Sequence, residues 1–484
     1  MSKYSVLTLA LAAILISSFV LAMPTIYPTG TTTYKPDKAW NGYTVFPAAG
    51  QQGCVLIDMN GNVVKFWEGL LGEPGPNRML PGGFIMGGIG SRKGHQEHTK
   101  LVKVDWDGNI VWSFNRVEEI RDPGTEPFWS ARQHHDYQME GNPVGYYVPG
   151  MNFVDQGRTL ILSHKNWKNP QISEKMLEDD LIVEVDHSGN IIWQWVAGEH
   201  FEEMGFDEAA KNIMARDPSW SSERGAGDWK HVNNMNYLGP NKWFDKGDQR
   251  FHPDNIIIDG RTTNTIIIID KKTGKIAWQV GPDYTRTPAL KNLDVIIAQH
   301  HAHMISKGLP GEGNILVFDN GGQAGYGAPT PGAPKGIGNA QRDFSRVLEF
   351  DPLTLEIKWQ YTFAEAGFGA QDKYKFYSHY ISAAQRLPNG NTLITEGADG
   401  RLFEVTPEHE IVWEYVSPFF TTYPGGKPTD RTWNMVYRAY RVPYDWVPQL
   451  PRPQEKAVTP PDIWDFHVPG AAPVSRSGAI TKLK

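Results

Sequence analysis

Histidine is the residue whose placement in this sequence points to chemistry. Four short stretches carry it: His134-His135 in QHHDYQ, His231 in WKHVNN, His300, His301 and His303 in QHHAHM, and His379 in YSHYIS. A neutral imidazole near pH 7 serves as nucleophile, general base or metal ligand, and modest changes of environment move it between these roles. Other chemistries leave little trace. The sequence has no GxSxG elbow, P-loop or HExxH motif, and no acidic pair stands out as a glycosidase acid and base. The histidines lack a companion set of carboxylates or thiolates at ligand spacing, so a metal site is the secondary reading and no metal is expected. Ordinary hydrogen-bonded core histidines are the plain alternative. That alternative weakens when four repeats carry His at one strand position.

The elements that would position these residues are repeats. Six units share one pattern: VLIDMNGNVVKFW, LVKVDWDGNIVW, LIVEVDHSGNIIW, TIIIIDKKTGKIAW, RVLEFDPLTLEIKW and RLFEVTPEHEIVW, ending at Trp67, Trp112, Trp193, Trp278, Trp359 and Trp413. Each is an alternating apolar strand, a polar turn and a second strand closing on Trp. Asn60-Gly61, Asp107-Gly108, Ser188-Gly189 and Thr273-Gly274 are hairpin turns. One such hairpin cannot bury both of its faces. Stacking the units radially does so, with Trp filling the wedge between blades. The expected fold is therefore all-β, a six-bladed β-propeller with inserted loops and a Pro-rich C-terminal tail.

The inserts fall at 115–133, 196–230, 320–344 and 363–377, and Asp207 to Arg216 reads as a short helix capped by Asp207. The segment Asn434 to Val442 is expected to supply the missing strand of the first blade and close the ring. The channel is lined by the innermost strand of each blade, and the histidines lie where those strands begin. Counting back from the shared Leu-Pro turn makes His379 and His301 equivalent, with His231 and His134-His135 within a residue or two. Strand alternation lets only one of each adjacent pair face the axis.

Composition narrows the partners. The 484 residues carry a net charge of −7 and a pI near 6.1, against a nucleic-acid or anionic-membrane partner. Lys3, the apolar run from Val6 to Leu21 and the small residue Ala22 read as a signal peptide, residues 1–22, cleaved near Ala22. The expected organisation is a propeller domain over 23–447 and an extended tail over 448–484. The location is periplasmic or secreted, with no stable membrane association after cleavage. The single cysteine, Cys54, cannot form an internal disulfide. The oligomeric state is not legible.

Several blocks also carry a resemblance. YKPDKAWNGY (34–43), LIDMNGNVV (56–64), DWKHVN (228–233), QHHAH (299–303), VFDNGG (317–322), Ser345-Arg346 and QRLPNGNTLI (385–394) resemble, in order, the bacterial arylsulfate sulfotransferases. The resemblance runs from about residue 30 to about 450. It implies a periplasmic six-bladed propeller that moves a sulfuryl group from a phenolic sulfate ester to a phenolic acceptor. It further implies a ping-pong reaction through a sulfohistidine, without a nucleotide sulfate donor and without a cofactor. By motif, His379 is the expected nucleophile, His301 and His231 the sulfate ligands, and Arg346 the accompanying cation. His135, His303 and Asn233 are the expected substrate contacts. The sequence departs from the family pattern after VFDNGG, where a sulfate-binding Arg is expected and GGQAGYGAPTPGAPKG contains none. His303 stands where an amide is expected. Sulfuryl transfer resembles phosphoryl transfer in its loose, anionic transition state, so clustered cationic and neutral imidazoles suit it. The rival readings are a non-catalytic exported propeller that binds a ligand or protein, a His-metal enzyme, and a quinone-dependent propeller enzyme.

Overall fold

Outer hairpins set the architecture. In three of them an aspartate organises the turn: Asp58, Asp105 and Asp186 each accept from the backbone N–H of the residue four positions on, and from its Asn side chain. The glycine just before that Asn sits at φ +82°, +90° and +83° (Gly61, Gly108, Gly189), a conformation that costs glycine little. The strands leading into these turns are buried on both faces, as in Gly53–Ile57, whereas the outermost strands, such as Val63–Glu68, alternate towards solvent.

In this computed structural model, residues 28–141, 147–151, 153–219, 227–422 and 432–460 are described. The protein is an all-β propeller-like assembly of antiparallel sheets with few, short helices. Four blades stand as separate sheets, not the expected six. Three have four strands, and the fourth gains Gly30–Tyr34 on its outer edge. Apart from three two-stranded ribbons, the remaining strands form one eight-stranded sheet. It consists of two meanders joined through a single pair, Gln133 with His98. That pair forms because the inner strand Gln133–Met139 reaches back to the neighbouring meander.

The expected ring closure is present: Tyr440–Val442 pairs with the strand Tyr43–Ala48. The helix Glu208–Arg216 forms as read, with Asp207 accepting from the Ala210 N–H. The inserts fold into a hairpin of Glu118–Ile120 with Phe128–Ser130, a second of Gly322–Tyr326 with Ile337–Arg342, and short helical turns. They all enter before an inner strand or between a second and third strand. They therefore crown the end of the propeller at which the inner strands begin. The tail pairs at Val458 with Tyr34 and continues beyond the described residues. The expected signal peptide also lies outside them.

The repeat-ending tryptophans do more than fill wedges. The indole N–H of Trp112 donates to His187 O (2.9 Å), Trp193 to Lys271 O (3.1 Å), Trp278 to Pro352 O (2.8 Å), Trp359 to Pro407 O (3.0 Å) and Trp413 to Met59 O (2.8 Å). Each acceptor lies in the outer turn of the next unit, and the last bond joins the end of the chain to its beginning. Trp67 differs. Its indole packs edge-on against Trp106 at 5.6 Å, with Lys65 over both rings, and its buried N–H has no hydrogen-bond partner among the described residues.

This contrast is testable by equilibrium unfolding. Trp413→Phe and Trp67→Phe remove the same volume, but only the first orphans a carbonyl. Trp413→Phe is expected to destabilise by about 1–3 kcal/mol more than Trp67→Phe; equal losses would refute the latch.

Candidate functional site

Six inner strands meet at the axis: β1 (Arg78–Leu80), β2 (Gln133–Met139), β3 (Val232–Tyr237), β4 (His300–Met304), β5 (Ala383–Arg386) and β6 (Tyr440–Val442). Where they converge, Arg78 and Asp136 form a buried ionic plug with Arg438, which lies just before β6. Asp136 of β2 accepts from Arg78 (2.5 Å) and Arg438 (3.0 Å), all three essentially inaccessible. Arg438 also donates to Tyr440 Oη and Asn233 O, both at 3.0 Å. His301 belongs to this plug. Its Nδ1–H donates to Ala384 O (2.9 Å), which leaves Nε2 to accept from Tyr440 Oη (3.3 Å). His303 Nδ1 donates to His301 O (2.9 Å). Burial, with Arg438 adding to it, pushes the His301 pKa well down; burial likewise lowers that of His303 to about 4.

A second group sits above the plug, at the end crowned by the inserts. The rings of His135 and His231 meet edge to face at 4.6 Å, and Tyr437 lies 5.8 Å from His135 and 6.4 Å from His300. Hydrogen bonds fix the tautomers. His231 Nδ1 pairs with Asp228 Oδ2 at 2.5 Å. Asn320 donates its amide to Ser378 O, so its oxygen must accept from His300 Nδ1 (2.7 Å). The Nε2 of His300 thereby carries the lone pair of a neutral ring, because burial and the neighbouring Arg261 push its pKa well down. His135 and His231 both adopt left-handed φ, +49° and +52°, within irregular strand starts. Such strain in a residue with a Cβ is characteristic of functional sites. His231 and His379 are partly solvent-accessible, whereas His135 and His300 are buried.

Behind His135 lies a third set. His134 Nδ1 and His135 Nδ1 are 2.8 Å apart, and His134 stacks on His164 with ring centroids at 3.7 Å and planes at 13°. Burial alone would lower the His164 pKa, but the carboxylates of Glu178 and Glu97 outweigh it and raise it to about 8. Glu97 shows the converse: burial would raise its pKa, and His164 and Arg132 hold it at about 2. His134, His164 and Asp180 offer ligand atoms within 4.8 Å of one another. With the two rings parallel, however, their in-plane lone pairs run side by side rather than towards one point, which disfavours metal ligation by this set.

The sequence-derived residues separate as follows. His231 and His135 come together. His301 does not join them; its neighbour His300 does. The inferred equivalence of His379 and His301 fails because the turn after β4 is longer. The Ile305 N–H bonds to Asn314 O, while the matching Leu387 N–H bonds to Asn391 O. This register aligns His303 with Gln385 and leaves His379 four residues before β5. There it flanks the same Asn320–Ser378 bond that anchors His300, with Tyr380 and Tyr377 ring centroids at 4.6 and 5.8 Å.

Arg346 does not stand ready for an anion. It is nearly buried, binds Asp319 through Nε (2.8 Å) and Nη2 (2.7 Å), and donates to Val295 O. Arg342 pairs with the same Asp319. Asn233 is buried, and its amide donates to Gln299 O (3.2 Å). The VFDNGG block is thus physical in detail. Asp319 anchors two arginines, Asn320 orients His300, and a Cβ on Gly322 would lie 3.3 Å from that of His379. Asp228, Asn320, His164, Asp180 and Tyr437 were not singled out from sequence. Only Asp228 and Asn320 had a signal there, in DWKHVN and VFDNGG.

Comparison with known proteins adds a family. The family model described as Arylsulfotransferase (ASST) matches residues 91–417. No curated protein sequence matches. Among solved structures, the chain is similar to a protein of unknown function from Bacteroides caccae (10% identity, TM-score 0.41, covering 83% of this chain and 99% of that one). It is also similar to a streptogramin B lyase (12%, TM-score 0.34, 83% and 86%) and to virginiamycin B lyase from Staphylococcus aureus (11%, 0.33, 82% and 87%).

The His164 shift predicts a pH signature. A folded-state pKa of about 8 against about 6.5 unfolded makes protonated His164 stabilising below pH ~6.5, and that contribution is lost as pH rises through about 8. Denaturant unfolding of wild type and His164→Gln should show a stability gap that shrinks by about 2 kcal/mol from pH 6 to pH 9. A gap independent of pH would contradict the assignment.

Proposed function

Because the chain belongs to the arylsulfotransferase family, we propose that it transfers a sulfuryl group from a phenolic sulfate ester to a phenolic acceptor. The transfer runs in two half-reactions through a sulfohistidine, without a nucleotide sulfate donor or other cofactor. The observation that carries this reading is the mouth group itself. His135 and His300 flank Tyr437 and His231 packs against His135, with Nδ1 of His231 and His300 held by fixed acceptors so that Nε2 is the ring atom directed to chemistry. A neutral imidazole attacks sulfur through its bare nitrogen, and N–H donors around it stabilise the charge that develops on the equatorial oxygens.

His379 is the proposed nucleophile, by its motif and its partly accessible position at this mouth. A second assignment is favoured by one observation: Asn320 holds the Nδ1 hydrogen of His300 and so leaves the lone pair on Nε2. His231, oriented by Asp228, acts on the sulfate or on the phenolic proton. Arg346 is removed from the proposed cradle because Asp319 and backbone carbonyls occupy it. The eight-stranded sheet is taken as two blades sharing one bridge, which gives six blades around the axis. The apolar N-terminus supports export to the periplasm or medium by a cleaved signal peptide, with small aryl molecules as partners.

The test uses p-nitrophenyl sulfate and phenol with purified protein. Nitrophenol release with formation of phenyl sulfate is expected, together with a sulfo adduct on one histidine when donor is given alone. His379→Ala should abolish turnover, a loss of at least about 10³-fold. An adduct mapped to His300, with His379→Ala still competent, would transfer the nucleophile role. No release at all would overturn the reading in favour of a binding propeller.

A further inference from the structure

Resting on that function, we propose that His135, backed by His134 and Asp180, carries the proton that the leaving phenol must gain and the acceptor phenol must lose. Both half-reactions need this. An aryl oxide with a conjugate-acid pKa near ~10 is a poor leaving group at neutral pH. The same group must donate in the first half-reaction and accept in the second.

The geometry supplies a line of three groups leading from the interior to the mouth. The His134 and His135 Nδ1 atoms lie 2.8 Å apart, so one of the two carries the shared hydrogen. That leaves His135 Nε2 for the mouth, where its ring meets His231 and Tyr437. At the other end His134 Nε2 is buried, lacks a hydrogen bond, and faces Asp180 Oδ1 at 3.5 Å. Among the described residues this is the only ion-pair contact of Asp180; both its oxygens otherwise accept from the Val232 N–H at 3.1 Å. A contact of 3.5 Å is long for a hydrogen bond, and contacts of this kind commonly tighten when substrate binds.

The proton steps balance. As the S–O bond to the aryl group breaks and the S–N bond to the nucleophile forms, His135 Nε2–H passes to the aryl oxygen. His134 Nδ1–H moves to His135 Nδ1, and the Asp180 O–H proton moves to His134 Nε2. The line ends with Asp180 ionised and His135 Nε2 bare, ready to take a proton from the acceptor phenol and reverse every step.

The surroundings suit the two ends. Burial pushes the Asp180 pKa well up and Asp228 and Asp179 add to it, against His164 and the Val232 N–H, a direction that favours the protonated carboxyl from which the relay starts. Burial also lowers the His134 and His135 pKa values well below normal, and the His164 charge adds to it in both. The relay rings therefore pass a proton without storing one. Lys230, lowered to about 8 by burial, and Arg132, which acts on His134, are further cations nearby.

The test is the dependence of rate on the leaving group. In Asp180→Asn the side chain still accepts from Val232 but cannot ionise. Turnover of phenyl sulfate should fall about 10²–10³-fold, and that of the more acidic nitrophenol's ester tenfold or less. His135→Asn, a residue that tolerates the left-handed φ, should show the same selectivity. Partial unfolding slows both esters alike and leaves their ratio unchanged, so the ratio isolates proton transfer. An unchanged ratio in both variants, with wild type active on both esters, would overturn the relay alone. A wild type inert to both esters would remove the underlying function, and the relay with it.

Discussion

A propeller has to close on itself, and here strand pairing at the axis is matched at the rim by an indole N–H. Five of the six repeat-ending tryptophans reach across to a carbonyl in the next outer turn, and Trp413 makes that reach from the last unit to the first. The bond fixes the angular step between units at the rim. The inner strands, which are short and irregular, inherit their mutual placement from it. Without a fixed step, His135, His231 and His300, up to 165 residues apart, could not share one cluster through the rings of His135 and Tyr437. The Asp-organised turns serve the same end, since they present the accepting carbonyls.

The axis is then built from charge rather than grease. Arg78, Asp136 and Arg438 are buried together, an arrangement that contributes little net stability over well-packed apolar groups but tolerates no missing partner. The plug also sets the electrostatics of what lies above it. Burial, with cations such as Arg438 and Arg261 adding to it, keeps the channel imidazoles neutral. Glu97 and Glu178 hold His164 charged one layer behind. Neutral rings at the mouth and a cation in reserve arise from one sheet system with different neighbours.

How much of this was legible in the sequence follows from which interactions are local. The repeat, its turns, the Asp207 cap and the return of the last strand depend on near neighbours or on a strong period, and all were readable. The separation into sheets was not, because one cross-strand pair between Gln133 and His98 merges two units. The choice between His300 and His301 turned on an irregularity at the start of β4, which reverses the alternation that a regular strand would give. The turn of Ser306 to Gly313 defeated the Leu-Pro ruler that paired His379 with His301. Arg346 was misplaced for a different reason. Its partner Asp319 lies 27 positions earlier and meets it only across paired strands.

The ionic plug also works as a hub. Arg78 and Arg438 lie 360 positions apart in the chain, yet both grip Asp136, so early and late segments are knotted at one point on the axis. Losing any one of the three leaves the charges of the others stranded. Damage there is felt across the whole ring rather than within one sheet.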